Sequence, residues 1–139
     1  GYTPFDGAEY DYHTTTKGIL EKVKAHAGDV DFEVQPELLS LFSNRDFGRY
    51  AGEKGEMNVC FISNNDITGG NSGSAMFNAR GELLGLAFDG NWEAMSSDIL
   101  YEPKMQRCIG VDVRYILFMI EKYGKAGDLI RELKIVSGK

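Results

Sequence analysis

Thr68-Gly69-Gly70-Asn71-Ser72-Gly73-Ser74 is the stretch of this 139-residue chain whose residue types could do chemistry. A serine hydroxyl becomes an effective nucleophile when a tight turn projects it. The same turn must aim two backbone N–H groups at one point, where they stabilise the oxyanion of a tetrahedral intermediate. Losing one side-chain donor from such a hole in another enzyme costs about 2.7–4 kcal/mol, so the turn matters as much as the hydroxyl. Glycines on both sides permit the turn and let a substrate backbone approach. The order Gly70-Asn71-Ser72-Gly73 makes Ser72 the candidate nucleophile, with the N–H groups of Gly70 and Ser72 as the candidate oxyanion hole. The same composition also makes an ordinary turn, and on these residues alone that reading stays open. A phosphate-binding loop fits less well, because no lysine follows the glycines and no helix begins there.

The elements that must position this stretch can be read from periodicity. MNVCFIS, from Met57, is a strand by its β-branched and aromatic content. SAMFN, a turn at Ala79-Arg80-Gly81 and ELLGLAFD read as a β-hairpin that follows Ser72 directly. RCIGVDV, from Arg107, is a further short strand. Before the strands, residues 15–27 carry Ile19, Leu20, Val23 and Ala27 at helical spacing, with Gly28 as a stop. Pro36 to Phe42 reads as a shorter helix with proline at its start, where the missing N–H costs nothing. After the strands, Asp112 is placed to cap a helix to Tyr123, with Tyr115, Phe118 and Met119 as core and Gly124 as the stop. A last helix, Asp128 to Ile135, would bury Leu129, Ile130 and Leu133. The expected organisation is a single segment: residues 1–56 a mostly helical lead-in, 57–111 strands carrying the serine loop, and 112–139 helices. Helices, then antiparallel β, then helices is an odd order for a free-standing domain and points to a piece of something larger.

Composition excludes several classes. The chain is 42% hydrophobic and 26% charged, which is ordinary for a folded globular protein. Its net charge is −6, with no cluster of basic residues, so it is a poor nucleic-acid binder. The longest apolar run, Tyr115 to Ile120, is far shorter than a membrane span, and no signal-peptide pattern opens the chain. Cys60 and Cys108 lack the neighbours of a zinc site and sit in apolar strand runs. Buried free thiols are the favoured reading, with a single bridge between them left open.

At VCFISNNDITGGNSGSAMFNARGELLGLAFDGNWEAMSSDILYEP (59–103) and MQRCIGVDVRYILFMIEKYG (105–124) the chain resembles the C-terminal end of the bacterial serine dipeptidyl-peptidases, best known from the Bacteroidetes. GGNSGS alone is shared with other chymotrypsin-like proteases; FDGNWEAMSSDI together with VDVRYILFMIEK is much more specific. The resemblance runs from Asp46 to Ile135 and extends less closely over the first 45 residues. It implies part of a chymotrypsin-like antiparallel β-barrel followed by C-terminal helices, in a periplasmic or surface exopeptidase. No metal or other cofactor is implied. The expected partners are peptides with a free N-terminus and the N-terminal remainder of the same polypeptide; a homodimer is left open.

The resemblance also implies roles by position. Ser72 matches the nucleophile and Gly70 contributes an oxyanion-hole amide. Asp89 matches an acidic residue that holds the substrate's α-ammonium, which restricts cleavage to dipeptides at a free N-terminus. Gly90 matches a position lining the primary specificity pocket: Arg there gives the acid-specific type, whereas Gly leaves the pocket open for bulky hydrophobic residues such as Met, Leu or Phe. By themselves Asp89 and Gly90 would read as a strand-end carboxylate and a turn residue.

Two departures stand out. Ala75 replaces a Pro common after the second serine. The general base and its carboxylate are missing: only His13 and His26 exist, and both read as solvated side chains. In the family those partners lie far upstream, so this chain alone is expected to be nearly inert. Trp92 is expected to pack against the barrel wall, and Asp98 and Glu102 to be solvated loop charges. Two rival readings accompany the protease: a non-catalytic peptide-binding module that keeps a protease-like pocket, and an endopeptidase of the same fold.

Overall fold

The computed structural model describes residues 11–52, 55–96, 100 and 102–136. Among these, one compact unit takes in residues 11–14 and 60–113, and a second takes in 15–59 and 114–136.

The strands are β1 (His13–Thr15), β2 (Asn58–Ser63), β3 (Ala75–Phe77), β4 (Leu83–Gly90) and β5 (Cys108–Asp112). They lie in one sheet in the order β1-β2-β5-β4-β3. β2 with β5, β5 with β4, and β4 with β3 are antiparallel. The two strands and the hairpin expected from the sequence are all present. β1 was not expected: it falls within the segment read as helical lead-in, and a three-residue strand carries too short a pattern to be read. The turn closing the hairpin is held by Asn78, whose backbone N–H donates to Glu82 O at 3.0 Å, with Gly81 at φ +77°.

One face of the sheet is its core. Residues 108–112 alternate buried and half-buried, placing Cys108, Gly110 and Asp112 on one face. Met76, Ala87 and Cys108 form the buried cluster there, with Phe61 and Ile67 packed against it. Glycine makes room for the Phe61 ring. A Cβ on Gly85 would lie 2.1 Å from Val111 O and 2.8 Å from Phe61 Cε1, and one on Gly110 would lie 2.6 Å from Met76 Sδ. The two cysteines are not bridged: Cys108 pairs with Ser63 across β2–β5, whereas Cys60 pairs with Val111. Burial pushes both thiols up from their ordinary value, keeping them protonated at neutral pH.

The second unit holds helices α1 (Thr16–Ala25), α2 (Pro36–Ser43), α3 (Val113–Phe118, from its second residue) and α4 (Gly127–Arg131). Its core is aromatic. Phe42, Phe47, Tyr50 and Phe118 are buried, and the Phe118 ring lies 6.0 Å from those of both Phe42 and Phe47. The helix after β5 keeps its expected bounds, starting directly after Asp112 and ending at Tyr123 before Gly124, whereas its interior and the last helix differ from expectation. Asp112 is the last residue of β5, buried, and the helix starts one residue later. That helix changes to a wide π-type turn over Met119–Tyr123; Gly124 ends it with right-handed φ, and the left-handed residue is Lys125 at φ +55°. The final helix is five residues, Gly127–Arg131, because Leu133 and Ile135 are half or more exposed or nearly so and give its last turn little to bury. Of the expected core stripe, Phe118 is fully enclosed, while Tyr115 and Met119 are half-buried and Leu117 takes the remaining buried place.

Candidate active site

Ser72 sits in a loop that enters β3. Two successive turns build it: Asn71 N–H donates to Thr68 O at 3.2 Å, and Ser74 N–H donates to Asn71 O at 2.9 Å. The Asn71 side chain closes the first turn by accepting from Thr68 N–H at 2.9 Å. Gly70 and Gly73 adopt φ of +94° and +88°, a region that a residue with a Cβ enters only at a cost. These glycines are therefore required by the backbone path on both sides of the serine. The loop is tied down to β4 by Gly73 N–H donating to Ala87 O at 2.7 Å and Ala87 N–H donating to Ser74 O at 2.9 Å. These bonds use the N–H groups of Asn71, Gly73 and Ser74; those of Gly70 and Ser72 are not among the loop's donors.

A β-bulge aims the next group. Ala87 pairs with Gly110 and Asp89 with Ile109, so Phe88 is an extra residue opposite β5. Its carbonyl accepts a hydrogen bond from Ser72 Oγ at 3.2 Å. The bulge also shifts Asp89 and Gly90 relative to the alternation of the strand. Nothing in the sequence of LLGLAFDG marks it.

Ser72, Asp89 and Gly90 line one cavity of about 240 Å³. That is below the roughly 300–1,000 Å³ of a pocket for a whole drug-sized ligand, and suits a single side chain. Ile67, Phe88, Ala94 and Met95 supply apolar wall, and among the described residues Asp89 is the one charged group lining it. Asp89 is exposed, and its Oδ1 accepts from Gly90 N–H at 2.8 Å. The Arg107 backbone runs past the pocket: a Cβ on Gly90 would lie 3.7 Å from its carbonyl. Its guanidinium donates to the carbonyls of Pro103, Lys104 and Gln106 at 2.8–3.1 Å.

Two buried amides hold the chain around this cavity, and the sequence reading named neither. Asn91 donates from Nδ2 to Met105 O and to Glu93 Oε2, each at 2.8 Å, and its Oδ1 accepts from Arg107 N–H at 2.8 Å. Gln106 accepts from Glu102 N–H at 2.9 Å and donates to Leu100 O at 3.0 Å. Both residues are less than a tenth exposed with these side-chain groups partnered, as buried amides must be. Composition could not have found them, since Asn and Gln in a loop ordinarily face water.

The remaining expectations divide. Trp92 does not pack against a wall; it is 82% exposed in the short 3₁₀ turn Trp92–Ser96. Glu102 is structural, its carbonyl accepting from Met105 and Gln106 N–H and its carboxylate from Lys104 N–H. Asp98 lies outside the described residues. His13 is on β1, with β2 and β5 between it and β4, about 14 Å at the usual strand spacing, so it cannot reach Ser72. Its Nδ1 stands 3.5 Å from Asp11 Oδ1, an ion-pair distance without hydrogen-bond geometry. His26 is in the other unit, where it stacks on Phe32 at 4.0 Å.

These features define a fold class, an antiparallel sheet flanked by helices, with a serine-bearing turn opening beside a side-chain-sized pocket. Residues 1–135 match the sequence profile of the family described as Peptidase S46, and the chain belongs to that family. It is 57% identical over 136 residues to dipeptidyl-peptidase 7 of Porphyromonas gingivalis, covering 98% of this chain and 19% of that protein. It is 47% identical over 136 residues to an Asp/Glu-specific dipeptidyl-peptidase of Capnocytophaga gingivalis, with 98% and 19% covered. The crystal structure of Porphyromonas endodontalis DPP11 in complex with the dipeptide Arg-Glu superposes with a TM-score of 0.89 at 43% identity, covering 95% of this chain and 19% of that one. The chain thus spans about a fifth of the length of these relatives.

Proposed function

We propose that this chain is the nucleophile-bearing C-terminal segment of a serine dipeptidyl-peptidase, and that the whole enzyme removes dipeptides from free N-termini with a preference for a hydrophobic second residue. The observation carrying this is that Ser72, Asp89 and Gly90 line one cavity. In the reaction, Ser72 Oγ attacks the carbonyl of the second peptide bond from the N-terminus. The amides of Gly70 and Ser72 receive the developing oxyanion. The leaving amine departs with a proton, and water hydrolyses the acyl-enzyme. The base that takes the serine proton comes from the remainder of the polypeptide. That remainder also supplies the strands that close the sheet into a chymotrypsin-like barrel. Ser72 Oγ must exchange its bond to Phe88 O for one to that base.

Asp89 selects an exopeptidase over an endopeptidase. An α-ammonium presented at this carboxylate gains a charge-assisted hydrogen bond that an acylated N-terminus loses. The pocket's electrostatics argue against an acidic second residue. Its lining carries a carboxylate and, among the described residues, no cation. An aspartate or glutamate side chain would meet like charge with no partner, whereas Met, Leu or Phe meets Ile67, Ala94 and Met95.

The testing experiment treats the full-length parent with a fluorophosphonate probe, maps the label, and compares dipeptidyl substrates ending in Leu, Met, Asp or Glu. Label on Ser72, turnover of the Leu and Met substrates, and loss of both in Ser72→Ala is the expected result. Turnover confined to Asp and Glu keeps the peptidase and removes the pocket assignment. An intact parent that takes no label favours a non-catalytic peptide-binding module, the reading suggested by a serine bonded to Phe88 O with no imidazole beside it.

A further inference from the structure

Gly90 is not the whole of the specificity pocket. A Cβ placed on Gly90 would lie 2.9 Å from the Cβ of Ala94 and 3.5 Å from Ile67 Cγ2. The first distance is too short for two carbons, so glycine at position 90 and alanine at position 94 are fitted to each other across the cavity wall. Ala94 is 9% exposed, and it rides on the 3₁₀ turn Trp92–Ser96, an element with little apolar anchoring of its own: Trp92 and Met95 are 82% and 73% exposed. What holds the turn is Asn91. Its carbonyl accepts from Ala94 N–H at 2.9 Å, its N–H donates to Arg107 O at 2.9 Å, and its side chain makes the three bonds to Glu93, Met105 and Arg107 described above. A small residue is thus carried on a weakly packed turn and locked by a saturated buried amide that immediately follows Gly90.

We infer that Ala94 is a second specificity-determining residue, setting the space left by Gly90, and that Asn91 is the positioning residue that holds Ala94 there. This rests on the dipeptidyl-peptidase reading, and it makes a claim that reading does not: pocket size is a property of the Gly90–Ala94 pair. Enlarging Ala94 narrows the space beside Gly90. Reducing it opens the space and accommodates a methyl at position 90. Loosening the turn at Asn91 blurs the preference without touching Ser72 or Asp89.

The experiment uses the full-length parent and free-N-terminus dipeptidyl substrates ending in Ala, Leu or Phe, with kcat and KM measured separately. Ala94→Val is expected to lower the Leu-to-Ala ratio of kcat/KM by about tenfold or more, the range over which one or two methylenes discriminate in an apolar pocket. Gly90→Ala is expected to lower turnover of the Leu and Phe substrates, and the double variant G90A/A94G to recover most of that loss. Asn91→Asp places a carboxylate against Glu93 and the Met105 carbonyl. It is expected to raise KM for the Leu and Phe substrates by a larger factor than for the Ala substrate. The buried Asn91 variant is the one that could fail to fold, so the pairing of Gly90 with Ala94 is judged on Ala94→Val, Gly90→Ala and G90A/A94G. A wild-type parent that cleaves dipeptides, combined with an unchanged residue preference in Ala94→Val and no recovery in G90A/A94G, overturns this inference and spares the peptidase reading. A parent that cleaves no dipeptide removes both.

Discussion

Asp89 and Glu121 show how differently two carboxylates are employed in one chain. Asp89 is exposed at the pocket, its Oδ1 satisfied by the N–H of Gly90, and its second oxygen is the contact proposed for a substrate ammonium. Asp89→Asn keeps the shape and removes the charge. It is expected to raise KM for free-N-terminus substrates by about ten- to a hundredfold, the weight of a charge-assisted bond, while an N-acetylated peptide remains equally poor before and after. An unchanged KM would remove the ammonium role. Glu121 instead belongs to the second unit, where it accepts from the buried Tyr50 hydroxyl and from Arg49. The Tyr50 bond chiefly holds the Glu121 carboxyl below its usual range, and burial chiefly lifts the Tyr50 phenol. A lowered carboxyl stabilises the fold above its unfolded pKa and loses this as pH falls through the folded value. A raised phenol stabilises below its unfolded pKa and loses this as pH rises through its own folded value. The pair is therefore fully effective between about pH 4.3 and 10. Tyr50→Phe is expected to lower the melting temperature of the intact protein at pH 7, with the deficit shrinking toward pH 3. A deficit that stayed constant with pH would show that the Tyr50–Glu121 contact contributes only packing.

At the scale of the element, the sheet is arranged by backbone approach as much as by side chains. Gly85 and Gly110 both face the Phe61 ring, but they differ in what blocks a methyl group. At Gly85 the obstacle is the backbone carbonyl of Val111 at 2.1 Å; at Gly110 it is Met76 Sδ at 2.6 Å, the end of a flexible side chain. Gly85→Ala should therefore fall at or beyond the upper end of the roughly 1–3 kcal/mol that overpacking costs, and Gly110→Ala lower in that range. Thermal unfolding of both variants checks the order, and equal losses would refute it. The hairpin after Ser72, the strand at β2 and the helix at Pro36 were legible because alternation, turn glycines and a helix-starting proline are local signals. The bulge at Phe88 and the π-type turn at Met119–Tyr123 were not. Each is a departure from regular pairing imposed by a neighbouring element: β5 for the first, and for the second the partners of Glu121 and of Lys122, whose Nζ lies 2.8 Å from Asp46.

For the whole molecule, the sheet leaves much apolar surface open. Phe77, Leu83, Leu84 and Phe88 are each 41–60% exposed, and β3 is an edge strand. Together with relatives some five times longer, this leads to two expectations. The isolated chain should self-associate in sedimentation velocity at micromolar concentration, since exposed apolar strands recruit partners. It should also show no dipeptidyl-peptidase turnover until the remaining polypeptide is supplied, because a serine without its base retains only a small part of the triad's acceleration. A monomeric chain with measurable turnover would contradict both. No helix among the described residues is long and apolar enough to cross a membrane.

The sequence by itself singled out Thr68–Ser74 as the candidate reactive stretch and determined the hairpin behind it, because turn glycines, alternating strands and a serine between them are written in neighbouring residues. It also carried the family resemblance through FDGNWEAMSSDI and VDVRYILFMIEK. The tertiary structure decided what those residues share. Ser72 and Gly90 are eighteen positions apart, and they meet in one cavity only because the loop is hydrogen-bonded back onto β4 and the bulge turns Phe88 toward it. The roles of Asn91 and Gln106 were likewise decided in three dimensions. A buried amide is recognised by its partners, and those lie up to sixteen residues away along the chain.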